Sequence, residues 1–471
     1  MKILDIIIFA GYLLIILGIG IYFHKKNQNS KDYFIGGNNM GSGHIGLSLV
    51  ATDVGGGFSI GLGGLGFTIG LSGSWMLFTG LIGAWLSAVL LIPKVINVAH
   101  KNHLLTFPQL LKLIYGSRVA RIAGIISFIG YVGFSSSQIL AGVKLATGTL
   151  NNLGHLQALL ILGIVAISYT VFGGIKAVIY TDTFQWILLM IGLIFIAIPM
   201  SYFALGGYEE IFSILPDKFF SLNNITWIQF ANWLITIVPI WFVGMTIYQR
   251  IFACRDEKTA KKAWFIAGLF EYPIMAFMGV TLGLFARVAA EKGMFLDMGF
   301  ANANGMDGEM GLPLLLSHVL PTGFLGITLA AYFSAIMSTA DSCLIAASGN
   351  LMTDIFGIDS HHKKGIRYSQ YSTLTVGILT MLLAAFMTNV LDVMLMSYAF
   401  MVSGLLVPVL AMLWVKKPSS EAALWSMITG GTTTLLLIFF KIPIPFGFDP
   451  ILLGILSSLI VFILLSKIRQ N

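Results

Sequence analysis

The stretch Leu47-Ser48-Leu49-Val50-Ala51-Thr52-Asp53-Val54-Gly55-Gly56-Gly57-Phe58-Ser59 sits inside a long apolar run, 44–71, and is followed by Gly61, Gly63, Gly64 and Gly66. Each glycine in a helix interior costs roughly 1 kcal/mol against alanine. Three in a row read as a helix break or a site of close helix contact. The acid beside them, Asp53, is costly in a bilayer, at least about 2.5–3.5 kcal/mol on insertion scales. Glycine-mediated packing explains the glycines alone. The acid beside them points to an interrupted helix with a function.

The rest of the chain sets that run in a membrane. Of 471 residues, 57% are hydrophobic and 10% charged, whereas a soluble domain carries about 25% charge. A water-facing globule cannot bury that much apolar surface. Two cysteines, Cys254 and Cys343, exclude a disulfide scaffold. Apolar runs of about 20 residues without alternation argue against a barrel.

Thirteen runs are long enough to span: about 4–23, 44–71, 74–99, 119–147, 156–173, 178–205, 225–248, 264–287, 319–348, 367–388, 390–414, 421–440 and 450–466. The first is followed by His24-Lys25-Lys26, a stop-transfer pattern rather than a signal-peptide cleavage site. With the loop after it cytoplasmic, only Lys2, Lys144, Lys218, Arg287, Lys292 and Lys441 of the 27 basic residues lie outside. The other 21, Arg250 among them, lie inside. The N-terminus is expected outside and the C-terminus in the cytoplasm. The net charge of +7 is therefore a topology signal, and a nucleic-acid partner is rejected. No soluble domain is expected. Residues 206–224 and 288–318 read as outer loops, 101–118 as a short amphipathic cytoplasmic segment, and 349–366 as a polar linker.

A second interrupted span matches the first. Span 7 carries Pro239 and Gly244 in Val238-Pro239-Ile240-Trp241-Phe242-Val243-Gly244. Spans 2 and 7 stand five apart, and repeats of five helices cross the bilayer in opposite directions. An ordinary proline kink is the plainer reading of span 7 alone.

Four acids lie within spans: Asp53, Asp182, Glu271 and Asp341. An interfacial helix cap is the alternative for Asp182, and a structural hydrogen bond is the expected role of Glu271. No basic residue is expected at their depth, so bound cations, protonation or a cationic solute must compensate them. Span 9 is rich in oxygen, in Ala335-Ile336-Met337-Ser338-Thr339-Ala340-Asp341-Ser342. Ala335, Ser338, Thr339 and Ser342 share one helix face, with Asp341 flanking it. Such oxygens suit a hard cation. Helix-packing hydroxyls are the alternative. The eight histidines are scattered, and His361-His362 reads as a solvated linker pair. No metalloprotease, P-loop or nucleophile-elbow motif is present, so an enzyme or primary pump is not expected.

The combination of motifs resembles the sodium/solute symporter family, the group of proline, sialic acid, galactose and choline symporters. The residues that carry the resemblance are Ala51-Thr52-Asp53 with its glycines, Ser30 to Gly37, Phe172 to Val178, Thr181 to Gln185, Tyr248 to Ala253 and Ala335 to Ser342. The resemblance implies an all-α polytopic membrane protein of 13 transmembrane helices. Its fold would be a leucine-transporter-like 5+5 inverted repeat with discontinuous helices 2 and 7. Residues 1–43 would hold the first span and a cytoplasmic loop, and 44–205 the first repeat. An outer loop at 206–224 would lead to the second repeat at 225–414, and 415–471 would hold two last spans and a short tail.

By the same resemblance, the coupling ion is Na+, one or two per cycle. The main site would use Ala51, Val54, Ala335, Ser338 and Thr339. A second would use Asp182, Asp341 and Ser342 with Ser338. Asp341 stands where the sialic acid symporter has serine, and matches the choline branch. Asp53 matches an aspartate of the proline symporter and stands where the choline branch has a cage tryptophan. Gly55, Gly56, Ser59, Trp241, Phe242 and Met245 would line the pocket beside Asp53. The implied function is sodium-coupled import of a small polar solute, an amino acid or other amine by preference. A sugar, carboxylate or quaternary amine, proton coupling, and a non-transporting sensor are the alternatives. The implied partners are the solute, sodium ions and the lipid bilayer, with no obligatory protein partner. The implied location is a plasma membrane, that of a bacterium.

Overall fold

In the computed structural model, residues 2–24, 30–36, 40–53, 55–150, 153–358 and 364–468 are described. The regular structure among them is helical. The main helices are α1 (Ile3–His24), α2 (Ser42–Asp53), α3 (Gly56–Ile69), α4 (Trp75–Leu90), α5 (Ser117–Thr149), α6 (His155–Met190), α7 (Trp227–Val243), α8 (Met245–Ala253), α9 (Glu257–Leu269), α10 (Ala276–Glu291), α11 (Gly308–Val319), α12 (Phe324–Gly349), α13 (Gly365–Ala384), α14 (Val390–Trp414), α15 (Ser420–Phe439) and α16 (Pro450–Ile468). Among the described residues, nine helical stretches are long and apolar enough to cross a bilayer, or ten if the bent pair α7–α8 is one span. The protein is thus a polytopic, all-helical membrane protein.

Burial sorts the helices by role. The apolar window of α12 is wholly buried, whereas that of α1 or α16 is only 22% buried. The outer faces carry Ile6, Ile7, Leu14, Leu456, Ile460 and Leu464, exposed apolar side chains suited to lipid. Helix α12 is therefore the centre of the assembly. Asp5 of α1 is tied to its start: Asp5 Oδ1 accepts from Gly323 N at 2.6 Å and Gly326 N at 3.0 Å. The acid meets the orphan N–H groups and positive end of the helix.

One buried cluster of charged groups in the core is closely paired. Lys144 of α5 donates to Asp307 at 2.6 Å and to Glu309 of α11 at 2.7 Å. Glu309 also accepts from the backbone N–H of Val390 and Leu391, each at 2.9 Å, at the start of α14. One buried carboxylate thus joins three helices.

Two expected loops are more ordered than their composition suggests. The stretch 288–318 ends in helix α11, capped by Asp307 Oδ1 on Glu309 N at 3.0 Å. The expected linker 349–366 is helical through Ile355, because Leu351 and Met352 continue the buried face. Asn350 in that turn is satisfied by donating to Ser127 Oγ at 2.6 Å. The amphipathic segment is a helix, Phe107–Tyr115, burying Phe107, Leu110, Leu111 and Tyr115. His361 and His362 lie outside the described residues, as do Lys25, Lys26 and Lys363.

Candidate functional site

Two helix breaks face the central helix. The first lies between Asp53, the last residue of α2, and Gly56, the first of α3. The last carbonyls of a helix have no partner within it. Here they meet Thr339 of α12. Its Oγ1 donates to Thr52 O at 2.8 Å and lies 3.2 Å from Ala51 O and 3.4 Å from Ala335 O. The close approach requires glycine. A Cβ on Gly55 would overlap Thr339 Oγ1, and one on Gly56 would overlap Ile336.

Three members of the expected main sodium set, Ala51, Ala335 and Thr339, therefore converge on one patch of oxygen. Such a set fits a hard cation by chemistry. Ser338 points one position aside, donating to Asp182 Oδ1 at 2.5 Å. Val54 lies outside the described residues.

Two residues of the second expected ion set, Asp182 and Ser342, meet Arg250, and Ser338 meets Asp182. The Arg250 side chain on α8 is fully buried. Its Nη2 donates to Thr52 Oγ1 at 2.5 Å and Ser342 Oγ at 2.7 Å, and lies 3.5 Å from Asp182 Oδ2. Its Nε donates to Ser48 Oγ at 3.1 Å, and Nη1 to Thr246 O at 3.3 Å. Ser48 also hydrogen-bonds Asp182 Oδ2. Asp182 is buried inside α6 and meets side chains from three other helices, so it is not a terminal cap. Asp341 turns elsewhere, accepting from Thr170 Oγ1 at 2.5 Å, and its Oδ2 has no partner among the described residues.

The expectation that no basic residue reaches the depth of the acids is thus corrected. The sequence alone sets Arg250 among the cytoplasmic basic residues, just past the end of the apolar run 225–248. The readable signal is its setting: Ile247, Tyr248, Ile251, Phe252 and Ala253 make its surroundings apolar on both sides.

The second break lies at Gly244, between α7 and α8, where the chain bends by 42°. Pro239 stays within α7 and does not end it. Hydroxyls satisfy the backbone on both sides. Tyr131 OH accepts from Thr246 N at 3.1 Å, and Tyr248 OH donates to Phe242 O at 2.8 Å. Irregular backbone at this depth needs such partners.

The expected pocket residues divide. The buried carboxyl groups of Asp53 and Glu271 lie against each other. Asp53 Oδ2 and Glu271 Oε1 have no partner, and neither acid forms an ion pair, among the described residues. Gly55 and Gly56 pack on α12. Ser59 N bonds Gly55 O at 2.7 Å in the first turn of α3. Trp241 is fully buried against Gly83 of α4, where a Cβ would overlap its ring. Met245 Sδ accepts from Phe107 N at 3.2 Å. Phe242 is buried at the end of α7. Trp241 thus packs on α4 one turn from Gly80, where a Cβ would overlap Glu271.

Comparison with known proteins gives this geometry a context. The family described as "Sodium:solute symporter family" matches residues 33–430. The high-affinity proline transporter PutP of Bacillus subtilis is 28% identical, over 89% of each chain. A sodium/glucose cotransporter of Vibrio parahaemolyticus is 24% identical, over 97% of this chain and 89% of its own. A Na+-coupled sialic acid symporter, solved substrate-bound and outward-open, has the same fold with a TM-score of 0.81 at 19% identity, covering 99% and 98% of the two chains.

Proposed function

This chain belongs to the sodium:solute symporter family, and from that premise we propose that its solute carries an amino group, an amino acid being the best match. The protein is a sodium-coupled symporter of a small organic solute. The observation that carries the amine reading is the Asp53–Glu271 pair. It keeps negative charge beside the first helix break, offers two unpartnered oxygens and has no basic partner among the described residues. An ammonium supplies both the charge and the N–H donors that such oxygens lack. The proline transporter among its relatives supports this choice. A sugar is the second reading, favoured by the glucose cotransporter relative.

We assign sodium to the oxygens of Ala51, Ala335 and Thr339, with Ser338 and Val54 completing the set. These residues belong to the broken span and to α12, so ion binding draws the two together. That orders the break next to Asp53 and raises solute affinity; by linkage, solute raises sodium affinity equally. One sodium entering across 100 mV contributes about 2.3 kcal/mol, roughly 50-fold in solute gradient.

The same reading fixes the architecture. The continuous stretch His155–Ala204 has 50 residues, far longer than the roughly 20 that span a bilayer. We divide it at Gly174, where φ is +64°, and divide Ser59–Leu90 at Gly70, where φ is +70°. Adding α13, too rich in hydroxyls to pass on hydropathy, gives thirteen crossings, with repeats at 44–205 and 225–414. The bundle of spans 2, 3, 7 and 8 rocks against the rest in this reading. The N-terminus faces out, and the membrane is the plasma membrane of a bacterium, as for the bacterial relatives.

The test is thermal stability of the purified protein in sodium and in potassium, repeated with amino acids, sugars, carboxylates and quaternary amines. A ligand at 100 times its dissociation constant stabilises by about 2.7 kcal/mol. We expect sodium-specific stabilisation that an amino acid enlarges. Enlargement by sugars and by no amino acid overturns the amine reading.

A further inference from the structure

Of the four residues expected at a second sodium site, Asp182, Ser338 and Ser342 are already committed, and Asp341 through one oxygen, its Oδ2 having no partner among the described residues. Asp182 Oδ2 and Ser342 Oγ lie 3.5 Å and 2.7 Å from one guanidinium nitrogen of Arg250. Ser338 gives its proton to Asp182 Oδ1 at 2.5 Å, and Asp341 Oδ1 accepts from Thr170 at 2.5 Å. Thr52 and Ser48 complete the ring around the guanidinium. A sodium ion among these buried oxygens would meet a fixed positive charge at close range. The residues do not fit a second ion while Arg250 is there.

We propose that Arg250 is a tethered cation standing in place of a second sodium. Its charge offsets the Asp182 carboxylate, and its forked donors satisfy hydroxyls that a metal ion would otherwise draw on. It also joins α8, α2, α6 and α12, so it links both interrupted spans to the central helix. Lysine cannot replace it fully, because the guanidinium reaches Thr52 and Ser342 from Nη2, Ser48 from Nε and Thr246 O from Nη1, and one ammonium nitrogen cannot be in all three places.

The proposal makes the ion count a property of one side chain. Removing Arg250 leaves a carboxylate ringed by four hydroxyls, from Ser48, Thr52, Ser338 and Ser342, a hard-cation donor set. The experiment counts radioactive sodium bound per purified protein at saturation. Arg250→Ala is expected to bind one more sodium than the wild type, and Arg250→Ala with Asp182→Asn to lose that extra ion. The difference carries the proposal and the absolute count does not. Thr339→Ala tests the main site separately, raising about tenfold the sodium concentration that half-fills one ion site, both in the wild type and in Arg250→Ala. An Arg250→Ala protein that folds and binds no extra sodium overturns the proposal. Should Arg250→Ala not fold, Ser342→Ala in the wild-type background decides. It is expected to leave the count unchanged, and loss of one sodium overturns the proposal.

Discussion

Replacing Thr339 by alanine removes a single hydroxyl from the meeting point of α12 and the first helix break. That hydroxyl faces three carbonyl oxygens, of Thr52 at 2.8 Å, Ala51 at 3.2 Å and Ala335 at 3.4 Å. Two consequences separate. Without sodium, one buried hydrogen bond disappears and a carbonyl loses its donor, which costs about 1–3 kcal/mol of stability. With sodium, the ion loses one of its oxygen ligands. If that ligand contributes about 1.4 kcal/mol, sodium affinity falls tenfold. Uptake in proteoliposomes, measured against sodium at fixed membrane potential, should show a half-saturating sodium concentration raised tenfold or more. Thr339→Ser keeps the oxygen and should restore the value to within a few-fold. A Thr339→Ala protein with unchanged sodium dependence refutes the assignment of this patch as the ion site.

Ser338→Ala should act less on sodium affinity than Thr339→Ala, because its hydroxyl donates to Asp182 Oδ1; parallel sodium titrations of the two variants check this. Gly56→Ala would drive a Cβ into Ile336 and should destabilise by about 1–3 kcal/mol; Ile336→Ala in the same chain should recover part of the loss in melting temperature. Lys144→Met leaves Glu309 in a site where both side chains are less than 10% exposed, a change that costs about 3–5 kcal/mol for a broken buried pair. The value should fall at the low end, since Val390 and Leu391 still donate to Glu309, and thermal denaturation reads it. Outside the bilayer, the Thr259 N–H donating to Asp256 holds that carboxyl below the usual carboxylate range. Its contribution is present above the unfolded pKa and lost as pH falls through the lowered one; Asp256→Asn should flatten that part of the acid limb of a melting curve.

What the sequence revealed follows from how local each signal is. The glycine run and Gly244 mark breaks through backbone chemistry that a few neighbouring residues decide. Ala335, Ser338, Thr339 and Ser342 share a face through helical periodicity alone. Arg250 escaped because depth was inferred from where the apolar run meets loop charges. The 42° bend at Gly244 and the cover of α2, α6 and α12 bury it instead. The pairing of Asp53 with Glu271 joins residues far apart in the chain, which no local pattern encodes. The packing of Trp241 against Gly83 of α4 is likewise a contact between distant parts of the chain.

The central claim is that an inward sodium gradient drives accumulation of an amine-bearing solute. Proteoliposomes holding the purified protein, given a panel of radiolabelled amino acids, test it under a sodium gradient, a potassium gradient and a proton gradient of equal size. The account predicts concentrative uptake of one amino acid class under the sodium gradient alone, abolished by a sodium ionophore. Uptake that follows the proton gradient and persists in potassium would contradict it.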